Sequence, residues 1–170
     1  DDGTEEQILL PLPGGETTVN RAEVDLIFGE AANEAWSGEI VVEKLATTDF
    51  TASRATIDLG GLARNLDNPA ARSITFTVDG ALTGIVATRA DVAEALGDSI
   101  TLDIDGAWNA DEPICVSNAA VSGNGFSASF IVDIADMALT GDYAVIAESI
   151  APCSGLAGRP LQGALDLAAS

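Results

Sequence analysis

The sequence predicts an all-β protein: an antiparallel β-sandwich, jelly-roll or immunoglobulin-like, with about ten short strands and one short helix. Three observations support this fold class. Apolar and polar residues alternate along most of the chain, as from Ile74 to Val78. Turn-forming residues separate the alternating runs, as in Gly123-Asn-Gly125, where a hairpin is expected. Only one segment has the residue pattern of a capped helix.

The N-terminal residues predict an extended segment, 1–15, ahead of a single domain, 16–170. A charged stretch is followed by an apolar run that contains Pro11 and Pro13, and proline is excluded from helix interiors and central strands. The apolar side chains of this segment are Ile8, Leu9, Leu10 and Leu12. We expect them to pack either as an edge strand of their own domain or as a strand donated to a neighbouring copy.

The remaining elements follow from alternation and turn residues. Between Arg21 and Phe28 the even-numbered residues are all apolar, which is typical of a half-buried strand. Gly60 and Gly61 predict a turn, with one helical turn over 62–66. The helix is predicted to begin after Thr88 and to end at Gly97. Further strands are predicted over 38–45, 50–59, 74–78, 82–88, 100–104, 114–121, 126–134, 142–147 and 161–167.

Composition excludes several function classes. The chain has 170 residues, 27 acidic and 7 basic side chains, no histidine and a net charge of −20. Nucleic-acid binding requires a basic patch, and the same charge disfavours contact with anionic membranes. Without histidine there is no Ser-His-Asp catalysis and no His-ligated zinc. A compact domain of 17.3 kDa is expected to expose about 7,800 Å² of surface.

The predicted location is extracellular or on the cell surface. No run of 18 apolar residues occurs, so we expect no membrane insertion. The chain starts without methionine, as expected for a mature N-terminus after removal of a signal peptide. The two cysteines, Cys115 and Cys153, are expected to form a disulfide, as in many secreted domains. Two free thiols are the alternative.

An acidic cluster predicts a candidate calcium site. Calcium prefers six to eight oxygen ligands. The candidate ligands are Asp103, Asp105, Asn109, Asp111 and Glu112. Their spacing is not that of an EF-hand loop, and a solvated acidic loop is the alternative. No other cofactor is expected.

Three aromatic residues, Trp36, Trp108 and Tyr143, are candidate ligand contacts. Exposed aromatic rings stack on sugars or anchor partners, although packing within the protein is the more common role. Paired carboxylates are the only plausible catalytic groups, and their abundance singles out no pair. We therefore expect no enzymatic activity.

No diagnostic family motif is present. In its general profile, small and acidic with one predicted disulfide and no catalytic inventory, the chain is similar to secreted β-sandwich subunits of surface fibres and matrices. The prediction is a non-enzymatic secreted structural subunit of an extracellular filament or matrix. It would form a head-to-tail homopolymer by β-strand addition, with calcium as the candidate cation and no nucleic-acid partner. The alternative is a secreted carbohydrate- or lipid-binding β module.

Overall fold

Antiparallel strands form one open sheet in the computed structural model, which describes residues 8–10, 17–29, 34–135 and 138–169. The all-β prediction is therefore confirmed. The described residues do not form the second sheet of the predicted sandwich, because all twelve of their strands join the same sheet. The reason is the connectivity: the long strands follow one another as a meander, so none is left to build a second layer.

The element bounds extend most of the predicted strands by a few residues. The strands are β1 (Ile8–Leu10), β2 (Thr17–Val19), β3 (Arg21–Phe28), β4 (Ala35–Ala46), β5 (Phe50–Arg64), β6 (Ser73–Thr83), β7 (Val86–Ala87), β8 (Ser99–Asn109), β9 (Ile114–Gly123), β10 (Phe126–Ala135), β11 (Ala138–Ala147) and β12 (Leu165–Ala169). The helices are α1 (Ala90–Leu96) and α2 (Ser154–Ala157), and single 3-10 turns lie at Pro69–Ala71 and Ala151–Cys153.

The strand order is β1-β2-β4-β5-β6-β8-β9-β10-β11-β12, with β3 beside β4 and β7 beside β5. The hairpin predicted around Asn124 is confirmed: Gly123 pairs with Phe126, and Gly125 adopts φ +72°. The predicted helix is also confirmed, and Gly97 ends it at φ +73° while donating its N–H to the Ala93 carbonyl.

The register separates polar and apolar side chains onto opposite faces of the sheet. Leu59 lies opposite Gly38 on one side and Val78 on the other, while the neighbouring Asp58 lies opposite acidic residues. Residues that face each other in an antiparallel pair project to the same side. We call the side that carries Leu59 the apolar face and the side that carries Asp58 the acidic face.

The apolar face runs across nine strands, from β3 to β12. Its large side chains on the successive strands include Val24, Leu26, Trp36, Ile40, Ile57, Leu59, Phe76, Val78, Leu102, Ile104, Trp108, Val121, Phe130, Tyr143, Val145 and Leu167. None of these large side chains is charged, and among them Tyr143 alone carries a hydroxyl group. The same alternation places Ser53 on this side of β5, and it reaches Lys44 near the end of β4, where the backbone adopts φ +53°.

No second layer covers either face within the described part of the chain. The helices α1 and α2 pack against each other and against β7, at one end of the sheet. The few fully or nearly buried apolar residues, such as Val19 and Ala52, are scattered over different strands. The solvent-accessible surface is 11131 Å². No helix in the described ranges is long and apolar enough to cross a membrane.

Two glycines of the apolar face are positions where aromatic rings lie across the backbone. Gly61 was predicted to form a turn, yet it lies inside β5, and the predicted helical turn over 62–66 is replaced by the end of that strand. A Cβ built on Gly61 would approach Trp36 Nε1 to 2.7 Å, and a Cβ on Gly106 would overlap the ring of Phe76. Only glycine fits at these two positions, because the aromatic rings lie close to the backbone. The rings therefore lie flat against the sheet.

We expect Gly61→Ala to destabilise the protein by about 1–3 kcal/mol, because the added methyl overlaps the Trp36 ring and the sheet backbone. Urea unfolding followed by tryptophan fluorescence measures the change. Gly60→Ala is the matched control, since it lies next in the strand, on the other face, with Thr77 Oγ1 as its nearest neighbour at 3.1 Å. Equal losses in both variants would contradict the proposed role of Trp36.

Candidate functional site: the two faces of the sheet

The acidic face carries a row of directly opposed carboxylates. Five neighbouring strands contribute one residue each, in the order Asp25, Glu39, Asp58, Asp79 and Asp103. Cβ atoms of directly opposed residues are about 4.5–5.5 Å apart, and like charges in that arrangement repel. We call these five residues the acidic row. The row gives the middle of this face a concentrated negative charge.

Few positive groups neutralise the acidic face. Arg54 Nη1 lies 3.7 Å from Glu43 Oε1, and Arg21 forms an ion pair with Glu23. All four side chains are about half exposed, so each pair contributes no more than about 1 kcal/mol. Both pairs lie toward one end of their strands and leave the acidic row itself unneutralised.

The predicted calcium ligands do not come together. Asp103 and Asp105 project from the acidic face of β8, where Asn118 Nδ2 donates to both carboxylates, at 3.4 Å for Asp105 Oδ2. Asn109 and Glu112 belong to the turn after β8, where Asn109 Nδ2 donates to Glu112 Oε2 at 2.8 Å.

Asp111 lies in the same turn, at φ +61°. Four residues of extended strand, about 13 Å, separate this turn from Asp105. In the described ranges no group of three or more His, Cys, Asp or Glu side chains is placed to hold a metal ion. The five-residue ligand set is therefore not assembled: it is divided between the sheet face and the turn.

The three candidate aromatic contacts share the apolar face without forming one cleft. Trp36 lies opposite Gly61, and Trp108 lies opposite Ile74. Tyr143 lies six strands from Trp36, opposite Phe130, and is 42% exposed. A shallow cleft of about 430 Å³ beside Tyr143 is lined by Phe130, Ile131 and the end of β12, and neither tryptophan reaches it.

The two cysteines are free, so the predicted disulfide between Cys115 and Cys153 is wrong. Cys115 lies near the start of β9, whereas Cys153 lies in the 3-10 turn beside α1, at the end of the sheet where β9 finishes. The intervening strand is about 25 Å long, and a disulfide requires Cα atoms within about 7 Å.

Asp133 lies directly opposite Cys115. The hydrogen bond between this thiol and the Asp133 carboxylate raises the pKa of Cys115, as do partial desolvation and the repulsion between the two negative charges. The thiol form is therefore favoured, which lowers the reactivity of Cys115.

The described part of the N-terminal segment, β1, lies at an edge of its own sheet. Ile8 pairs with Val19, Leu9 with Thr18 and Leu10 with Thr17, all in antiparallel register. Of the two arrangements that the sequence left open, this is the intramolecular one. Ile8 and Leu9 remain exposed, and Leu12 lies outside the described residues.

Within residues 8–10, 17–29, 34–135 and 138–169, both lateral limits of the sheet are unpaired strand edges. At one side β3 pairs only with β4, and β1 lies beyond β2. At the other side β12 pairs only with β11, and only with residues Tyr143 to Ala147. An unpaired edge exposes N–H and C=O groups that another strand can bind.

Comparison with known proteins finds no matching family model and no similar curated protein or solved structure. The proposed role of the two faces and the edges therefore rests on their geometry.

Sequence reasoning missed the acidic row, although its signal is in the sequence. Each of the five strands carries one acidic residue near its centre, flanked by apolar residues, as in Ile57-Asp58-Leu59 and Val78-Asp79-Gly80. Superposing the centres of successive alternating runs would have aligned these carboxylates, because hairpins pair strand centres with strand centres.

We expect Asp58→Asn to stabilise the protein at low salt, because it removes the repulsion from Glu39 and Asp79. An opposed pair accounts for a few tenths to about 1 kcal/mol, so the melting temperature should rise by about 2–4 °C. Thermal unfolding at 10 mM and 1 M NaCl measures the difference, which should shrink in high salt. Asp67→Asn, in the turn after β5, is the control; equal effects of the two substitutions would contradict the repulsion.

We expect both cysteines to react with a thiol reagent without prior reduction, as counted by intact-protein mass spectrometry. Asp133→Asn should accelerate alkylation of Cys115 severalfold at pH 8, because loss of the carboxylate lowers the thiol pKa and increases the thiolate fraction. Cys153 in the same chain is the internal control. A non-reducing mass two hydrogens lower, with no alkylation, would show the disulfide instead.

Proposed function

We propose that the protein is a non-catalytic structural subunit that assembles with copies of itself edge to edge, as part of an extracellular filament or matrix. The observation that carries this proposal is the open sheet, whose outer strands β3 and β12 each have an edge that no other described strand pairs with. Strand addition supplies backbone hydrogen bonds to such edges. A contact between two different edges is heterologous and extends without closing.

The directions of the two edges define how copies would join. Nine antiparallel strands lie between and including β3 and β12, so these two strands run in the same direction. Head-to-tail addition would therefore place β12 of one copy parallel to β3 of the next. The half of β11 that β12 leaves unpaired would face the adjoining copy as an antiparallel partner.

The proposal retains Ile8, Leu9, Leu10 and Leu12 as a donated segment. The register between β1 and β2 serves equally well when β1 comes from a neighbouring copy, because the same residues then pair in the same order. Exchange of an identical element between copies requires no new interface chemistry.

The proposal includes divalent cations, which would reduce the electrostatic repulsion between copies. Each chain carries a net charge of −20, and the acidic row concentrates negative charge on one face. Close packing of such copies requires screening or bound cations. Calcium binding would promote assembly at concentrations where sodium chloride of equal ionic strength does not.

A second candidate function is a secreted module that binds a carbohydrate or an apolar ligand. The observation in its favour is the cleft beside Tyr143, where Phe130 and Tyr143 are exposed on the apolar face. A ligand bound there would leave the protein monomeric and would change its aromatic fluorescence.

The edge proposal is tested by Asp166→Lys combined with Ala168→Lys, which places two lysines on the acidic side of β12. We expect filaments or high-mass particles from the parent chain and none from this variant, because edge lysines oppose strand addition. Negative-stain microscopy and light scattering, in calcium and in sodium chloride of matched ionic strength, measure assembly.

The matched control is Ser129→Lys combined with Asp133→Lys, which makes the same charge change on the acidic face of the internal strand β10 and leaves both edges and the acidic row unchanged. This control should assemble like the parent. A parent chain that stays small under all conditions would refute the proposal. Leu9→Pro tests the donation of β1. Full assembly of this variant would contradict that donation and would leave the edge-to-edge contact uncontradicted.

A further inference from the structure

The surface area of the protein is too large for a compact chain of its size. The solvent-accessible surface is 11131 Å², whereas a compact 17.3 kDa protein exposes about 7,800 Å². The excess of roughly 3,300 Å² follows from the single layer of the sheet, because a sheet normally buries one face against another element. In the described part of the chain no element takes that position.

The two uncovered faces of the sheet differ in how favourably water solvates their side chains. The central strands of the acidic face carry Thr, Asp and Glu, which water solvates well, and Ile27, Ile131 and Ile146 are its exposed apolar residues on the outer strands. On the apolar face, Val24 is 67% exposed, Leu26 62%, Phe28 53% and Leu167 47%. Contiguous exposed apolar patches larger than a few hundred Å² mark interaction sites in soluble proteins.

We propose that two copies of this chain pack apolar face against apolar face, as a two-sheet sandwich related by a twofold axis. The interface would bury Leu26, Leu59, Val78, Ile104, Phe130 and Leu167 of each copy. It is distinct from the edge-to-edge contact and does not depend on it.

The area of the apolar face fits a stable dimer. Nine strands about 4.8 Å apart and about 33 Å long present roughly 1,300 Å² in projection. Standard interfaces bury about 800 Å² per partner, and obligate homodimers 1,000–2,500 Å² or more per partner. The apolar face therefore reaches the size of an obligate interface, whose composition is similarly apolar.

The charge distribution favours a second copy as the partner. The large side chains of the described apolar face are uncharged and cannot select a charged partner, whereas a second copy offers a surface of the same size and composition. Stacked sheets lie about 10 Å apart. A face-to-face pair thus directs the acidic rows of the two copies outward into solvent, on opposite sides of the dimer.

The flat orientation of the aromatic rings over Gly61 and Gly106 also favours the face-to-face dimer. Trp36 and Phe76 lie across these glycines instead of standing above the sheet. Face-to-face sheet packing requires inner side chains of similar height, because voids at an interface lose contacts without gaining water.

Two neighbouring residues of β3 provide the test. Leu26→Glu adds a charge to the apolar face at a residue that is 62% exposed, and Ile27→Glu adds the same charge to the acidic face at a residue that is 67% exposed. With edge addition blocked by Asp166→Lys/Ala168→Lys, light scattering coupled to size-exclusion chromatography should give twice the 17.3 kDa chain mass, both without a further change and with Ile27→Glu. We expect Leu26→Glu to elute as a folded monomer.

A second matched pair guards against misfolding at β3. Leu167→Glu on the apolar face should dissociate the dimer, and Ile146→Glu on the acidic face should not; the two side chains are 47% and 49% exposed. Circular dichroism confirms folding of each variant. All masses are measured in the Asp166→Lys/Ala168→Lys background as well, where edge addition is blocked and the dimer should persist.

Two results would overturn the proposal. One is a monomeric parent at 100 µM in the edge-blocked background, with the apolar face accessible to the dye 1-anilinonaphthalene-8-sulfonate. The other is equal dimer mass for Leu26→Glu and Ile27→Glu. Loss of filaments with retention of the dimer would refute only the edge-to-edge function.

Discussion

Cross-strand register is the constraint on which both faces of this protein depend. Side chains of a strand alternate between the two faces, so a slip of one residue between two strands would exchange their polar and apolar sides. Once Asp58 lies opposite Asp79, Leu59 must lie opposite Val78, and each hairpin passes the same alignment to the next strand. Short turns such as Asn124-Gly125 thereby determine the composition of a surface about 40 Å wide.

The two faces place opposite demands on the environment of the protein. The acidic row is tolerable while water and salt screen it, since the Debye length at physiological ionic strength is about 8 Å. The apolar face is favourable only when water is removed from it. A single layer cannot satisfy the second condition alone, because its helices lie at the end of the sheet and leave residues such as Val24 in solvent. The proposed assembly of copies would remove water from this face without an additional chain segment.

Local signals predicted the strands, the hairpin at Asn124 and the helix ending at Gly97, because alternation and glycine turns act over a few residues. The layer arrangement could not be predicted in the same way, since alternation identifies a half-buried strand without stating what buries it. Gly61 was misinterpreted because a glycine pair resembles a turn when the ring of Trp36 on the neighbouring strand is unknown. The disulfide was inferred from the even number of cysteines, and the calcium ligands from their proximity in sequence. In the structure β9 separates the two thiols, and β8 extends the ligands along a strand.

The number of strands also constrains how a chain with this architecture can vary in length. Seven strands separate β3 from β12, so these two outer strands run in the same direction, and the proposed junction between copies would pair them in parallel. Gain or loss of a whole hairpin would widen or narrow the subunit by two strands and preserve this parallel junction. Loss of one strand would make the two outer strands antiparallel, and the junction would then have to change its hydrogen-bond pattern. Length variation in this architecture is therefore expected to occur in hairpins.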